Sequence, residues 1–330
     1  MKKIAVVILN WNGVKLLEQF LPSVMLYSPE ATVYLADNAS TDSSIEFVKT
    51  NYPDIKIIQN EGNFGYAHGY NVALKNVEEP YFCLLNSDVE VTENWLKPIL
   101  DIFEKEKNVA IIQPKILDFK NKSLFEYAGA AGGFIDKYGY PYCRGRIFET
   151  VEKDNGQYDD FYEIFWASGA CFFIRKEVFN QLGGFDESFF AHQEEIDLCW
   201  RSKNAGYKIY YTFQSIIYHV GGATLKESNP KKTFLNFRNS LLMLVKNLPE
   251  GKILPIIFTR LFLDGIAGIQ FILKGKFSHC WAIIKAHFHF YHLLNKYFKK
   301  RTNNQTESYF KTNSIVYNYF IKGGKVFEEN

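Results

Sequence analysis

The strongest constraint on the fold is an alternation of short apolar runs with helical patterns over the first 90 residues. Residues 4–9 are continuously apolar and rich in β-branched side chains, as is typical of a parallel strand buried on both faces. Similar runs follow at residues 32–36, 55–58 and 81–85. Strands that alternate with helices predict a parallel sheet with right-handed crossovers.

Each of these runs stops at polar residues. Ligands of such sheets bind beyond the carboxyl ends of the strands, and the polar residues at the ends of the first, second and fourth runs are Asn10, Asn12, Asp37, Asn38, Asn86 and Asp88. A turn or a helix cap would explain any one of them. Three such strand ends together predict a binding site.

The predicted site lacks a loop that would cradle a phosphate, because neither a G-x-x-x-x-G-K-[ST] motif nor a strand-linked G-x-G-x-x-G motif occurs. A diphosphate ligand would still need its charge offset. The expected means is a divalent cation, Mn²⁺ or Mg²⁺, held by a carboxylate, and Asp88 is the candidate. The missing glycines argue against a nicotinamide-dependent oxidoreductase. A nucleotidyltransferase is a weaker candidate still. Lys2 and Lys3 precede the first strand and are poorly placed for the phosphate loop of such an enzyme.

Composition excludes other classes. A net charge of +2 over 330 residues gives no general attraction to nucleic acid. The five cysteines are spread widely, without metal-ligand spacing, so we expect buried thiols in a reducing compartment. The apolar N-terminal run is too short for a signal-peptide core. We therefore expect a cytoplasmic protein.

Eight short motifs follow one another in a fixed order, at residues 7–12, 37–42, 63–67, 84–88, 166–170, 183–190, 194–201 and 218–222. Each is weak alone, but the ordered set resembles the family 2 glycosyltransferases, and above all their rhamnosyltransferase-like members that build bacterial surface polysaccharides. The resemblance implies an α/β fold of the GT-A nucleotide-diphosphosugar transferase type, with a mainly parallel central sheet flanked by helices. We expect a catalytic domain at 1–245 and a helical C-terminal extension at 246–330.

The resemblance also implies roles at the donor. Asp37 would accept a hydrogen bond from the imide of the base, and the remaining nucleotide contacts would come from Asn10, Asn12, Asn38, Asn63 and Asn86. Many relatives read D-x-D where this chain has Asn86 and Asp88, so Asp88 would carry most of the protein charge at the metal. His219 would complete the metal shell; an ordinary loop histidine is the equal alternative.

An acidic cluster, Glu194, Glu195 and Asp197, lies at the start of a predicted helix that ends near Gly206. Carboxylates in a first helical turn are favoured by the helix dipole alone. In the family, however, this segment supplies the general base of an inverting transfer. Glu195 takes the position of the usual Asp and is our candidate base, with Glu194 in reserve. Asp197 is expected to pair with Arg201 four residues later.

Two further segments are expected near the sugar and the acceptor. The resemblance places Trp166, Ser168 and Gly169 there, although a core tryptophan is the ordinary interpretation. Asp186 could contact the acceptor or cap a turn.

The C-terminal third is apolar, basic and aromatic. Residues 253–273 are long enough to span a membrane, but Arg260, Asp264 and Gln270 argue against it and share one arc of a helical wheel. This predicts an amphipathic helix. Lysines interleaved with aromatic residues up to position 301 favour peripheral contact of 253–301 with the inner face of the cytoplasmic membrane, and a solvated helix with an apolar core face is the alternative.

The sequence thus predicts an inverting, metal-dependent transfer of sugar from dTDP-rhamnose or a UDP-hexose to a polysaccharide or lipid-linked glycan precursor. Asn86 and Glu195 depart from the family pattern. They leave open an inactive module that binds a nucleotide sugar or carbohydrate.

Overall fold

A computed structural model describes residues 2–221 and 229–328 of the chain. Gly222, which ends the last motif, lies outside the described residues. The strands are β1 Ile4–Asn10, β2 Ala31–Asp37, β3 Lys56–Gln59, β4 Tyr81–Asn86, β5 Val89–Val91, β6 Val109–Asp118, β7 Gly133–Ile135, β8 Pro141–Cys143, β9 Arg146–Ile147, β10 Thr150–Val151, β11 Phe161–Glu163, β12 Cys171–Arg175 and β13 Lys208–His219. The helices are α1 Val14–Tyr27, α2 Ser44–Asn51, α3 Tyr66–Ala73, α4 Lys97–Lys105, α5 Lys176–Gln181, α6 Glu194–Asn204, α7 Pro230–Asn247, α8 Glu250–Leu273, α9 Phe277–Lys299 and α10 Ile315–Phe320.

The described residues form a central sheet of nine strands in the order β11-β13-β6-β12-β4-β1-β2-β3, with β5 paired to β13. The four strands expected from the apolar runs are present, and they are parallel where they pair. β12 runs antiparallel between β4 and β6. One half of the sheet is therefore parallel, and the other half contains both parallel and antiparallel strands. The strands β7 to β10 form a separate small antiparallel sheet.

The burial of β1 explains its unbroken apolar sequence. Successive side chains of a strand point to opposite faces, and here Ala5 and Val7 belong to one apolar cluster while Ile4, Val6 and Ile8 belong to another. Both faces are covered, so no position of the strand is free to be polar until Asn10 at its carboxyl end. This is the arrangement expected for a strand inside an α/β sheet.

Helix α1 differs from the expectation that Pro22 would kink or interrupt it. The helix runs from Val14 to Tyr27 with Pro22 inside it. Proline removes the hydrogen bond to the carbonyl four residues earlier. Both Pro22 and Glu18 are exposed, so water can satisfy the Glu18 carbonyl, and the buried Leu17, Phe20, Leu21 and Val24 hold the helix on the sheet.

The C-terminal helices share the core of the sheet. Leu241 of α7, Ile253 of α8 and Phe290 of α9 belong to the same apolar cluster as Ala5 and Val7 of β1. The division expected at residue 245 falls near the end of α7. The four cysteines at 83, 143, 171 and 199 are buried and free, and Cys280 is half-buried.

Gly133 is predicted to tolerate no side chain, because a Cβ there would lie 2.0 Å from the indole ring of Trp166. We expect Gly133→Ala to lower the free energy of unfolding by about 1–3 kcal/mol or more, the usual cost of overpacking. Gly265→Ala is the control, since a Cβ at Gly265 in α8 meets nothing within 4 Å. Urea unfolding checks both; equal stability of the two variants would contradict the packing of Trp166 against Gly133.

Candidate active site

The ends of β1 and β2 form a buried polar cluster. The parallel register sets Asn10 beside Asp37, and the Asn10 side-chain amide donates to Asp37 Oδ1 at 2.9 Å. Ser40 donates its backbone N–H to Asp37 Oδ2 at 2.8 Å. Asn10 Oδ1 is buried without a hydrogen-bond partner, and buried polar atoms of this kind need an explanation. A ligand that donates a hydrogen bond at this strand end would satisfy it.

Three other predicted nucleotide contacts tie loops together. Asn12 Oδ1 accepts the backbone N–H of Thr41 at 2.7 Å, Asn38 Oδ1 accepts from the side chain of Asn60 at 2.7 Å, and Asn63 Oδ1 accepts the backbone N–H of Gly65 at 3.2 Å. Asn38 is buried, whereas Asn12 and Asn63 are exposed. Their side-chain oxygens are thus engaged in shaping the loops around the strand ends.

The predicted metal ligands are brought together by the pairing of β5 with β13, which sets His219 opposite Val89. His219 Nε2 lies 3.1 Å from Asp88 Oδ1 and 3.5 Å from the side-chain nitrogen of Asn86. Two ligands at right angles around an octahedral ion, each about 2.1 Å from it, lie about 3.0 Å apart. The spacing of Asp88 and His219 therefore fits one divalent cation.

Among residues 2–221 and 229–328, no group of three or more His, Cys, Asp or Glu side chains could hold a metal. A cation at this position would therefore have two ligands of these types among the described residues, Asp88 and His219. Mg²⁺ ordinarily binds through one or two carboxylates together with substrate phosphates and water. The donor set thus fits a cation that binds together with a diphosphate.

His219 is enclosed by carboxylates on both sides. Its Nδ1 lies 3.3 Å from Oε1 of Glu126, a residue that no sequence motif singled out. Burial lowers the pKa of the imidazole, but Glu126 and Asp88 raise it by more, so the pKa is raised to about 10. A metal at Nε2 would have to displace a proton.

The predicted base lies at the start of α6, next to backbone in an uncommon conformation. Phe190, His192 and Gln193 all have positive φ, between 66° and 73°, which side chains other than glycine rarely adopt. Asn239 of α7 secures this turn, because its amide nitrogen lies 3.0, 3.0 and 2.8 Å from the carbonyls of Phe189, Ala191 and His192. Sequence analysis missed Asn239.

Glu194 is buried and Glu195 is half-buried at the start of α6. Burial raises the pKa of Glu195 to about 7, against the opposing effect of backbone N–H groups. Burial and the neighbouring Glu195 raise the pKa of Glu194 well above its usual range. Burial thus favours the protonated form of both carboxyl groups, and a pKa of about 7 at Glu195 suits a general base near neutral pH.

Tyr66 joins three of the motifs. Its backbone N–H donates to the carbonyl of Phe190 at 2.9 Å, and its hydroxyl donates to the carbonyl of Gly169 at 2.9 Å. Burial raises the Tyr66 pKa well above its usual value, and the nearby Glu194 adds to the effect. Gly65 allows the approach, since a Cβ there would lie 2.4 Å from the Phe190 carbonyl oxygen.

The structure gives Trp166, Ser168 and Asp186 contacts within the protein. Trp166 is buried, and its indole N–H donates to the carbonyl of Phe134 at 2.9 Å. Ser168 is buried too, and its hydroxyl accepts the backbone N–H of Ala170. Asp186 caps the short turn before α6 by accepting from Ser188. Contact of these side chains and of Gly169 with the sugar or the acceptor stays a prediction.

A buried ion-pair network holds α6. Asp197 accepts from Arg201 at 2.8 Å, as expected from their spacing, and also from Lys246 of α7 at 2.9 Å. Lys246 also reaches Asp186 at 3.0 Å, and Lys300 reaches it at 2.7 Å. Burial raises the pKa of Asp186, but Lys246 and Lys300 lower it by more, so it stays ionised. The sequence indicated neither lysine.

Comparison with known proteins identifies the family of the chain. Glycosyl transferase family 2 matches residues 5–183, more than half of the chain. The N-acetylglucosaminyl-diphospho-decaprenol L-rhamnosyltransferase of Mycobacterium tuberculosis is 26% identical over 226 residues, which cover 63% of this chain and 73% of that protein.

Solved structures show the same fold at low identity. GalNAc-T7 with UDP, GalNAc and Mn²⁺ superposes with a TM-score of 0.54 and 20% identity, over 66% of this chain and 43% of that one. The mannosyltransferase PcManGT from Pyrobaculum calidifontis, in complex with GDP-Man and Mn²⁺, superposes with a TM-score of 0.53 and 14% identity. The match covers 88% of this chain and 87% of that one. The chain therefore belongs to glycosyl transferase family 2 and is a GT-A glycosyltransferase that takes sugar from a nucleotide sugar.

Proposed function

We propose that this enzyme catalyses an inverting, metal-dependent transfer of a sugar from a nucleotide diphosphate to a hydroxyl of a polysaccharide or lipid-linked glycan precursor. The observation that carries the proposal is Glu195, a half-buried carboxylate whose pKa of about 7 suits a general base. An inverting transfer needs one base on the acceptor side, because the acceptor oxygen attacks opposite the departing diphosphate.

The donor end of the site is formed by the strand ends. Asp37 and Asn10 bind the base, with the unpartnered Asn10 Oδ1 as an acceptor for it. We propose dTDP-rhamnose as the donor, because the M. tuberculosis relative is a rhamnosyltransferase. A UDP-hexose is the alternative, because GalNAc-T7 binds UDP. That relative also acts on a diphospho-decaprenol sugar, which supports a lipid-linked acceptor here.

Asp88 and His219 would hold Mn²⁺ or Mg²⁺. Both structural neighbours contain Mn²⁺. A divalent cation offsets the charge that develops on the departing diphosphate. Asn86 supplies no charge, so Asp88 is the carboxylate that binds the cation. His219 supplies a nitrogen ligand through Nε2, the ring atom that faces Asp88.

Glu195 takes the proton of the acceptor hydroxyl as that oxygen attacks the anomeric carbon. Burial and the neighbouring Glu195 favour the protonated form of Glu194, which limits the negative charge beside the base. Asn239 fixes the turn before α6 through three carbonyls, and Tyr66 fixes the same turn from the donor side. These contacts orient Glu195 without touching the substrate.

An inactive module that binds a nucleotide sugar or carbohydrate is the competing function. Asn86 and Glu195 favour it only because they depart from the family pattern. Glu195 has the pKa of a base, and Asp88 and His219 have the spacing of a metal site. An active enzyme releases nucleotide diphosphate from its donor in a metal-dependent way, whereas a module would only bind the donor.

Replacement of the base tests the mechanism. Glu195→Gln keeps the shape of the side chain but removes the proton acceptor, so we expect kcat to fall about 10²–10⁴-fold. Affinity for the nucleotide diphosphate should not change. Release of nucleotide diphosphate from dTDP-rhamnose and UDP-hexoses with an N-acetylglucosaminyl diphospholipid acceptor measures kcat. Glu90→Gln on β5 is the control, and full activity of Glu195→Gln would refute the assignment.

The pH dependence follows from the same carboxylate. A base must be deprotonated, and burial raises the Glu195 pKa to about 7, so kcat/KM should rise with pH and level off above about pH 8. At saturating Mn²⁺ the rise should fit an apparent pKa near 7, which belongs to the Glu194–Glu195 pair. A profile that stays flat between about pH 5.5 and 9 would contradict this mechanism.

We further propose that the enzyme docks on the inner face of the cytoplasmic membrane through the apolar face of α8 and α9. Leu254 and Phe258 on α8 are 80% and 76% exposed, and Phe288 on α9 is 70% exposed. The face continues through Phe262, Ile266, Ile269, Phe277 and Trp281. Exposed apolar patches this continuous mark interaction sites.

The charge around this face suits an anionic bilayer. Residues 251–306 contain nine lysines and arginines and a single acidic residue, Asp264, which is buried. Lys274, Lys276 and Lys285 are exposed beside the apolar face. Basic residues near a membrane surface each contribute about 1 kcal/mol of attraction to anionic lipid. A lipid-linked acceptor would bring its sugar to the same surface.

Among the described helices, α8 is the one long and apolar enough to cross a membrane. Two residues of its polar arc, Arg260 and Asp264, instead face protein, whereas Gln270 is exposed. Arg260 is buried and donates to the carbonyl of Tyr138 and to Ser240, and Asp264 is buried 3.1 Å from His287 of α9. One side of α8 therefore packs on its own fold, which favours a helix that lies in the interface.

Vesicle binding tests the docking face. Phe258→Glu should weaken binding to phosphatidylglycerol vesicles at least tenfold, about 1.4 kcal/mol. The reason is that a charge replaces a ring that would be buried in the bilayer. Leu26→Glu is the matched control, since Leu26 on α1 is also exposed, at 68%. Co-sedimentation measures both. Equal binding by Phe258→Glu and the unchanged protein would refute the docking face.

A further inference from the structure

Glu126 is a fixed, buried carboxylate in the segment between β6 and β7. Its backbone N–H donates to the carbonyl of Ile116 at 3.0 Å. Its Oε2 accepts the backbone N–H of Ala128 at 2.6 Å. One carboxylate oxygen is thereby committed to the backbone, and only Oε1 remains for another partner.

That partner is His219. Oε1 of Glu126 lies 3.3 Å from His219 Nδ1, and both side chains are almost fully buried. The contact is an ion pair and not a hydrogen bond, and Nδ1 has no hydrogen-bond partner among the described residues. Nε2, the other ring nitrogen, faces Asp88 at 3.1 Å. Glu126 therefore cannot ligate the same cation as Nε2, since it lies on the far side of the ring.

Gly221 leaves the space that Glu126 occupies. A Cβ at Gly221 would lie 2.8 Å from Oε1 of Glu126, and the φ of Gly221 is +70°. A larger residue would therefore be strained and would press on the carboxylate. The chain two residues after His219 is in this way shaped around Glu126.

We propose that Glu126 is a positioning residue that prepares His219 for the metal. Glu126 faces the proton on Nδ1, so the proton that a metal would displace is the one on Nε2, on the side of Asp88. Carboxylates commonly play this part behind metal-bound histidines, and their loss costs about 10–100-fold in metal affinity. The inference rests on the proposed metal role of Asp88 and His219.

Glu126→Gln discriminates this role from simple packing. The Ala128 N–H requires an oxygen opposite it, so the new amide would turn its NH₂ group toward Nδ1. A donor there moves the ring proton to Nε2 and blocks the metal ligand. The isosteric Glu126→Gln should therefore bind Mn²⁺ about 10–100-fold more weakly, at least as weakly as Glu126→Ala. A packing role predicts the reverse order, with Ala the more harmful.

The experiment measures the Mn²⁺ dissociation constant of the full chain by electron paramagnetic resonance, with Mn²⁺ alone and with thymidine or uridine diphosphate. Thermal unfolding of each variant reports folding separately. Glu90→Gln is the matched control. Glu90 of β5 lies opposite Tyr218 of β13, next to His219, and its carboxylate forms an ion pair with Lys122. It should bind Mn²⁺ like the unchanged protein.

Unchanged Mn²⁺ affinity in a folded Glu126→Gln variant would overturn the proposal and leave the proposed function intact. Failure of the unchanged protein to bind Mn²⁺ would overturn both, and it would be seen before any variant is made. If the Glu126 variants do not fold, Gly221→Ala displaces the carboxylate instead. Weaker Mn²⁺ binding by Gly221→Ala then supports the proposal, and unchanged binding overturns it.

Discussion

The pairing of β5 with β13 is the interaction on which the site depends. It sets His219 opposite Val89 and so brings the imidazole to Asp88, 131 positions away in the chain. On its other side β13 pairs in parallel with β6, with His219 opposite Asp118. Because β13 is held by both neighbours, its last residue has a fixed position. The proposed two-ligand metal site would thus be a property of sheet register, not of a local motif.

The acidic helix is held by a different part of the chain. Asn239 and Lys246 of α7 bond to the turn before α6 and to Asp197 within it, and Lys300 after α9 bonds to Asp186. Helix α7, which supports the proposed base, packs against α8 and α9, which carry the proposed membrane face. Docking of α8 and α9 on a bilayer would fix the orientation of the catalytic edge relative to the lipid surface.

The sequence predicted what local patterns determine. The strand ends at Asn10 and Asp37 followed from apolar runs, and the Asp197–Arg201 pair followed from helical spacing. Long-range partners could not be predicted in this way. Glu126 has no motif around it and acquires its partner only when β6 and β13 pair. The continuation of α1 through Pro22 also depended on tertiary structure, because the buried face of the helix outweighed the local preference of proline.

The central claim is that a nucleotide diphosphate and a divalent cation bind together at the ends of β1, β2 and β4. A thermal-shift panel of thymidine, uridine and guanosine diphosphates, each with Mn²⁺, Mg²⁺ or a chelator, tests it directly. We predict that one diphosphate raises the melting temperature only with metal, and that Asp88→Ala abolishes the rise. A folded protein that no diphosphate stabilises, with or without metal, would contradict the account.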